Sequence, residues 1–285
     1  MRALILDCNY ICHAVFYSMP ALQTNHQYTQ IIFGFIKKLI MYSQQFKPNN
    51  ICFAWDSVHS VRKEIYPIYK SQRADKASTA TEAEKHAKRS AFLQFTDIRE
   101  SVLPDLGFTN VFMQEGYEGD DVMASVVDCN PSYDFTMITT DGDMYQTISD
   151  NCRIYNPITK TLRTVESFTA EYGCKPSEWG EVKAICGCST DNVKGVKGVG
   201  EKTAIRYLNG ELDPTSKKSR DIQASEDTII ENRELVVIPM YGTKDFILNE
   251  QNSLSRQKFV KVCEKYNFKS LLSKKNLDIW DEIIV

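Results

Sequence analysis

Three short apolar runs, each closed by an aspartate, constrain this chain more than any other feature. Ala3 to Leu6 ends at Asp7, Ile51 to Trp55 at Asp56, and Thr136 to Thr140 at Asp141. Runs this short, rich in branched and aromatic residues, suit buried strands. Phe108 to Met113 reads as a fourth. Helical spacing fills the intervals: Ile32, Phe35, Ile36, Leu39 and Ile40 predict a helix over 28–45, and similar spacing predicts one over 91–103. After Asp121 the run VMASVV predicts a helix with an acidic first turn, which suits the helix dipole. Strands alternating with helices give an α/β fold with a central, mostly parallel sheet flanked by helices. Sites in such sheets form at the carboxyl ends of the strands. One aspartate there means little, since Asp starts turns and caps helices. Three in one sheet point to a shared site.

Beyond about Pro157 the strand signals fade. Residues 167–172, 177–185, 201–208 and 256–266 read as helices. The expected organisation is therefore an α/β core over 1–165, with a basic connection inside 57–100, followed by a mainly helical region over 166–285. No apolar run approaches the roughly 18 residues of a spanning helix. An Asp at the seventh residue leaves too short an apolar run for a secretory signal. The nine cysteines contain no CxxC pair and read as reduced thiols. These features predict a cytoplasmic protein with no membrane partner.

The 285 residues carry 34 basic and 37 acidic side chains, a net charge of −3. Taken whole, that balance argues against a nucleic-acid partner. Its distribution argues otherwise. Residues 103–150 hold ten acidic residues and no Lys or Arg, whereas 59–90 and 183–220 each hold eight basic and four acidic residues.

The acidic block is densest at Glu118, Asp120 and Asp121, followed by Asp141 and Asp143. With Asp7 and Asp56, seven carboxylates converge on the predicted sheet edge. Either dense segment alone is equally compatible with a solvated helix turn or a plain loop. Together, in a partly buried site, they would repel by several kcal/mol unless cations neutralised them. Oxygen ligands without His or Cys select Mg²⁺ or Mn²⁺. Two such ions about 4 Å apart can clamp the attacking and leaving oxygens of a phosphodiester displacement. Histidine is scarce near these acids, so water activated by cations is favoured over a histidine base. The spacing of an EF-hand is absent.

Gly195, Gly198 and Gly200 form a GxxGxG loop with Lys194, Lys197 and Lys202 around it. A P-loop would need Lys directly after its last glycine, where Glu201 stands. Helical pattern on both sides indicates a tight hairpin over 183–208 whose amides and following helix meet a phosphate; an ordinary helical corner is the plainer alternative. In the basic connection, Arg62, Lys63, Lys70, Arg73, Lys76, Lys85, Lys88 and Arg89 interleave with Tyr66 and Tyr69. That pattern suits single-stranded nucleic acid, or simply a solvated loop.

In order along the chain, these motifs resemble the flap endonuclease, or 5′-nuclease, family, both its stand-alone phage-type members and the 5′-nuclease domain of bacterial DNA polymerase I. The matching stretches are Asp7, FAWD with Asp56, GYEGDD with Glu118, Asp120 and Asp121, TTDGDMYQ with Asp141 and Asp143, Asp191-Asn192 followed by VKGVKGVGEKTA, and NRELVVIP. The resemblance implies a PIN-like core, a helical arch over the basic connection and a C-terminal helix–three-turn–helix. It implies a metal-dependent 5′-3′ exonuclease and flap endonuclease of DNA replication or repair. Asp7, Asp56, Glu118 and Asp120 would hold one Mg²⁺ or Mn²⁺, and Asp121, Asp141, Asp143 and Asp191 would form or bridge to a second. Lys70 and Arg73 would act on the scissile phosphate, with Asp141 in the catalytic set. Arg62 and Tyr69 would contact DNA, Tyr69 by stacking on a terminal base. The hairpin of Lys194, Gly195, Lys197, Gly198, Gly200 and Lys202 would hold duplex backbone, with K⁺ on its carbonyls. The partners implied are DNA with 5′ ends, flaps or branches, RNA primers and a replication polymerase, the chain acting as a monomer. Two departures stand out. Cys188 replaces an Asp of the second metal site, a substitution that weakens it for Mg²⁺. His13 stands near the position of a family Arg, one residue closer to the first Asp. A catalytically weak branched-DNA-binding protein and a PIN-type ribonuclease are the alternative readings.

Overall fold

The computed structural model describes residues 1–25, 27–72 and 79–284. Its centre is a six-stranded sheet built on the apolar runs. These are β1 (Arg2–Asp7), β4 (Asn50–Ala54), β5 (Val111–Phe112), β6 (Asp134–Ile138), β7 (Cys152–Asn156) and β8 (Thr161–Arg163), in the order β5-β4-β1-β6-β7-β8. All neighbours run parallel except β8, which closes the edge antiparallel to β7. A two-strand ribbon, β2 (Gln23–Thr24) with β3 (Gln27–Tyr28), lies outside this sheet. Every residue of β4 is buried, the signature of a parallel strand covered on both faces. In register, Leu6 stands beside Phe53 and Ile138, and Asp7 beside Ala54. The chain therefore delivers Asp7, Asp56 and Asp141 to the same edge, within three residues of three adjacent strand ends.

Helices cover both faces. On one side lie α1 (Cys8–Ser18), α2 (Gln30–Phe46), and, beyond the short α3 (Val61–Ile65), α4 (Glu82–Asp97) and α5 (Leu103–Leu106). The periodic residues Ile32, Phe35, Ile36, Leu39 and Ile40 of α2 are buried as their spacing requires. The 91–103 pattern is not one helix: α4 starts nine residues earlier, at a Thr81/Glu84 capping box, and a π-helical segment, Ile98–Val102, interrupts it. Polar residues 82–90 show no apolar face because that end of α4 stands in solvent.

The opposite face receives α6 (Gly119–Cys129), α7 (Val165–Tyr172), α8 (Trp179–Cys186), α9 (Glu201–Leu208), α10 (Lys217–Gln223) and α11 (Glu226–Val236). Phe168, Trp179 and Ile185 share one apolar core with Ile5 and Met137 of the sheet. The last helices, α12 (Arg256–Lys265) and α13 (Lys274–Ile284), return to the first face, where Phe259 and Trp280 join the core of Leu4, Phe35 and Phe53. Between the two faces, residues 240–252 pass as an irregular strap that opens on a turn at Met240 to Thr243. Side-chain amides hold it: Gln114 donates to Gly242 O, Asn130 to Phe246 O, and Asn110 to Asn249 O, all at 2.8–2.9 Å. β7, β8 and α11 were not legible as elements: β7 mixes Arg153 and Asn156 with its apolar residues, β8 is three residues long, and α11 mixes acids with a sparse apolar face.

Candidate metal centre and nucleic-acid interface

Asp7 ends β1 and caps α1, accepting hydrogen bonds from Tyr10 N and Thr139 Oγ1 at 2.9 Å each. Asp56, two residues past β4, accepts from Gly119 N at 2.7 Å, which ties it to the start of α6. Glu118 is the N-cap of α6, and Asp120 lies in its first turn. Asp141 accepts from Asp143 N at 2.8 Å within the tight turn after β6. Asp143 and Asp191 complete a cavity of about 480 Å³ lined also by Asp7, Tyr10, Asp141, Lys183 and Thr190.

The electrostatics of this cluster are those of unneutralised carboxylates. Burial pushes Asp7 up to about 7, aided chiefly by Asp56 and against its two hydrogen bonds. Burial, Asp141 and Asp7 raise Asp120, and burial with Asp143 raises Asp141. Burial acts on Glu118 in the same sense, but Lys70 and Arg62 outweigh it and hold that carboxyl below its ordinary range. The Lys70 ammonium lies 2.8 and 2.9 Å from the Glu118 oxygens and 3.7 Å from Asp191. A cation is thus already favoured where these acids meet. The donor set of hard oxygens, repelling one another at a sheet edge, fits divalent cations of the Mg²⁺ class.

Asp7, Asp56, Glu118, Asp120, Asp141, Asp143 and Asp191 therefore gather at this edge, and Lys70 joins them. Asp121 does not. It is fully buried, Arg62 donates to both its oxygens at 2.6 and 2.8 Å, and Met240 N donates to Oδ1 at 2.8 Å. In this arrangement both its oxygens are turned to Arg62 and away from the other acids. The same pair corrects Arg62. It is 2% exposed, and its Nε–H is donated to Leu235 O, so in this arrangement it faces the interior and not a DNA surface. Tyr69 is equally withdrawn: it is 2% exposed and its hydroxyl lies 3.0 Å from a Glu118 oxygen and 3.2 Å from an Asp191 oxygen, with one proton to share between them. In this arrangement it cannot stack on a terminal base. Arg73 lies outside the described residues.

Lys183 was missed. From α8 it reaches Asp143 at 3.3 Å and Glu201 at 3.0 Å, linking the acid edge to the helix after the hairpin. Its only signal was a lone Lys among buried residues of WGEVKAIC. Thr139 was missed too, although it lies in the third strand-end run. The stem of the basic connection is tied down here: Lys70 N donates to Asp191 O at 2.9 Å and Asn192 Nδ2 to Ile68 O at 2.9 Å.

The glycine loop is a hairpin, as its flanking helical patterns required. It runs from α8 through the two-residue ribbon β9 (Gly187–Cys188) and β10 (Val193–Lys194) to α9. A Cβ on Gly195 would stand 2.1 Å from the Cys186 carbonyl carbon, so only glycine permits the crossing. Gly198 adopts φ +72. Lys194, Lys197 and Lys202 are exposed around it. Asn232, from the NRELVVIP stretch, donates to Ala184 O and Lys194 O at 2.9 Å each and so fixes the hairpin on α11. The Lys218 ammonium donates to Gly198 O at 2.6 Å and occupies the space beside its Cα, supplying that carbonyl with a cation from within the chain.

Fold and site define a mostly parallel α/β protein that gathers carboxylates at one sheet edge and sets a basic helical hairpin beside them. Comparison with known proteins names the family. Residues 2–173 match the model of the 5′-3′ exonuclease N-terminal resolvase-like domain, and the chain belongs to this family. It is 31% identical over 266 residues to DNA polymerase I of Mycobacterium bovis, covering 85% of this chain and 28% of that protein. It is 27% identical over 306 residues to DNA polymerase I of Caldicellulosiruptor bescii, covering 97% of this chain and 34% of that one. The chain thus spans about a quarter to a third of these relatives. Among solved structures, the flap endonuclease of bacteriophage T5, in a pseudo-enzyme-product complex with DNA and metal ions, matches with TM-score 0.72 and 21% identity over 99% of this chain and all of that one. The catalytic core of Rad2 in complex with DNA substrate matches with TM-score 0.55 and 14% identity, over 100% of this chain and 91% of that one.

Proposed function

We propose that the chain is a divalent-cation-dependent 5′-nuclease that hydrolyses phosphodiesters in DNA bearing 5′ ends, flaps or branches, in replication or repair. The observation that carries this reading is the ring of carboxylates at the strand ends, with Lys70 and the hairpin on its borders. Asp7, Asp56, Glu118 and Asp120 would hold one Mg²⁺; Asp141, Asp143 and Asp191 would hold a second ion beside Cys188. Bound there, the cations supply an acidified water and neutralise charge building on the phosphoryl oxygens.

The chain's own groups do the rest. Asp7 and Asp56 are fixed by Tyr10, Thr139 and Gly119, so the ring is preorganised. Lys70 brings a movable ammonium that can turn from Glu118 to a non-bridging phosphate oxygen, with Arg73 in support. Exposed Lys194, Lys197 and Lys202 grip duplex phosphates, which positions the strand without reading its sequence. Asp121 and Arg62 act from behind, holding α6 against α3.

The reading extends to partners. The matched relatives are DNA polymerases, which makes a replication polymerase and RNA-primed 5′ ends the proposed context. It acts as a monomer, because ring and hairpin come from one chain. At the hairpin, Lys218 fills the role expected of K⁺. No helix among the described residues is long and apolar enough to cross a membrane.

Asp141→Asn tests the assignment. Flap cleavage in Mg²⁺ should fall by at least about two orders of magnitude, the scale of losing one electrostatic element of a site, while flap binding in EDTA stays within about twofold. Unchanged turnover would sink the assignment. A wild-type chain that binds but never cuts would reduce it to a branched-DNA-binding protein, and preference for RNA over DNA flaps would favour a ribonuclease.

A further inference from the structure

Cys188 is not an inert core thiol. It is 5% exposed, yet its sulfur faces polar groups: Asp143 Oδ2 at 3.5 Å and Thr190 Oγ1 at 3.0 Å. One ligand atom from each of Asp143, Cys188 and Asp191 lies within 4.8 Å of the others. Ligand atoms about 2.0–2.3 Å from a shared ion lie at most about 4.5 Å apart, so one cation can bridge the three after small side-chain rotations. The backbone holds them to this arrangement. Cys188 pairs with Val193 in the small ribbon, and Asp191 ends the 3₁₀ turn Ser189–Asp191 directly after it. Asp143 approaches from the opposite wall, in the 3₁₀ turn Asp143–Thr147. The cavity beside them is lined by Asp143, Thr190 and Asp191, with Lys183 at its edge 3.3 Å from Asp143.

We propose that this half of the centre is a mixed sulfur–oxygen site that takes a borderline transition cation of the Co²⁺ or Zn²⁺ type in preference to Mg²⁺. The inference rests on the nuclease reading for the existence of a two-ion centre and adds the identity of its second ion. A thiolate gains more from a borderline cation than from Mg²⁺, which favours six hard oxygens and sheds water reluctantly. The carboxylates of Asp7, Asp56, Glu118 and Asp120 offer oxygen alone and retain the preference for Mg²⁺. The centre would then hold two unlike ions, with the softer one beside Cys188.

Titration of the metal-free full chain with Co²⁺, without DNA, reads the sulfur ligand directly. A near-ultraviolet sulfur-to-cobalt charge-transfer band should appear, saturate at about one equivalent per chain and persist in a large excess of Mg²⁺. Cys188→Ser and Cys188→Asp should both lose the band, and Cys188→Asp should bind the second Mg²⁺ at least about tenfold more tightly by calorimetry. Circular dichroism of both variants guards against misfolding, and the conservative Cys188→Ser carries the test if the charged variant fails to fold. A wild-type chain without the band, or a band unchanged in Cys188→Ser, overturns the proposal. Mg²⁺-dependent flap cleavage is measured in parallel. A cysteine-dependent band with no cleavage rejects the nuclease reading alone; cleavage without the band rejects the mixed site alone.

Discussion

Asp7 shows how one residue serves fold and chemistry in opposite senses. It caps α1, yet burial and Asp56 push its carboxyl up to about 7. The folded chain therefore keeps this proton to a higher pH than the unfolded chain does. The stability it contributes is present below the ordinary carboxylate range and is lost as pH rises through about 7. In EDTA the melting temperature should fall between pH 5 and pH 8, and saturating Mg²⁺ should flatten that fall. Asp7→Asn should raise stability in EDTA at pH 8 by on the order of 2–4 kcal/mol, the size of the shift it removes, while abolishing cleavage. Equal melting temperatures for wild type and Asp7→Asn in EDTA at pH 8 would contradict this. Strand-end acids such as Asp7 were legible because a short apolar run locates its own end. Arg62 was misread for the opposite reason. It sits in a polar, basic segment, and its burial is decided by Asp121 and Leu235, 59 and 173 residues away in sequence.

At the scale of elements, the Arg62–Asp121 pair joins α3 to α6 and to the segment after α11. Removing one member of a buried pair strands the other, at a cost of about 3–5 kcal/mol. Arg62→Met should therefore lower the unfolding free energy measured in urea by that amount, yet leave the salt dependence of DNA binding unchanged. A variant of full stability with a reduced salt slope would return Arg62 to the DNA surface. The hairpin makes the converse prediction. Lys197→Ala and Lys202→Ala should each reduce the log–log slope of affinity against salt by about 1, with little change in melting temperature. Lys218→Met should make flap binding depend on K⁺, because Gly198 O loses its ammonium; binding equal in K⁺ and tetramethylammonium would contradict that. The hairpin was legible from its glycines and lysines. Its anchoring by Asn232 and the ammonium of Lys218 were not, because both are contacts between distant segments.

Across the whole molecule, the net charge of −3 conceals a division of labour. Seven carboxylates face two ammonium groups, Lys70 and Lys183, at the sheet edge, an excess of five negative charges when all are ionised. Two divalent cations would remove four of these and change the chain's total to +1. The acid edge and the basic hairpin could then both face a polyanion. The parallel core was visible in the sequence because its strands are buried on both faces and read as continuous apolar runs. The return of α12 and α13 to the first face was not, since a strap held by side-chain amides has no periodic pattern. The most direct measurement uses a 5′-labelled DNA flap, with Mg²⁺ and with EDTA. Release of short labelled products at the flap base in Mg²⁺ alone is the expected result; an intact flap in Mg²⁺, or equal cleavage in EDTA, would contradict a cation-dependent 5′-nuclease.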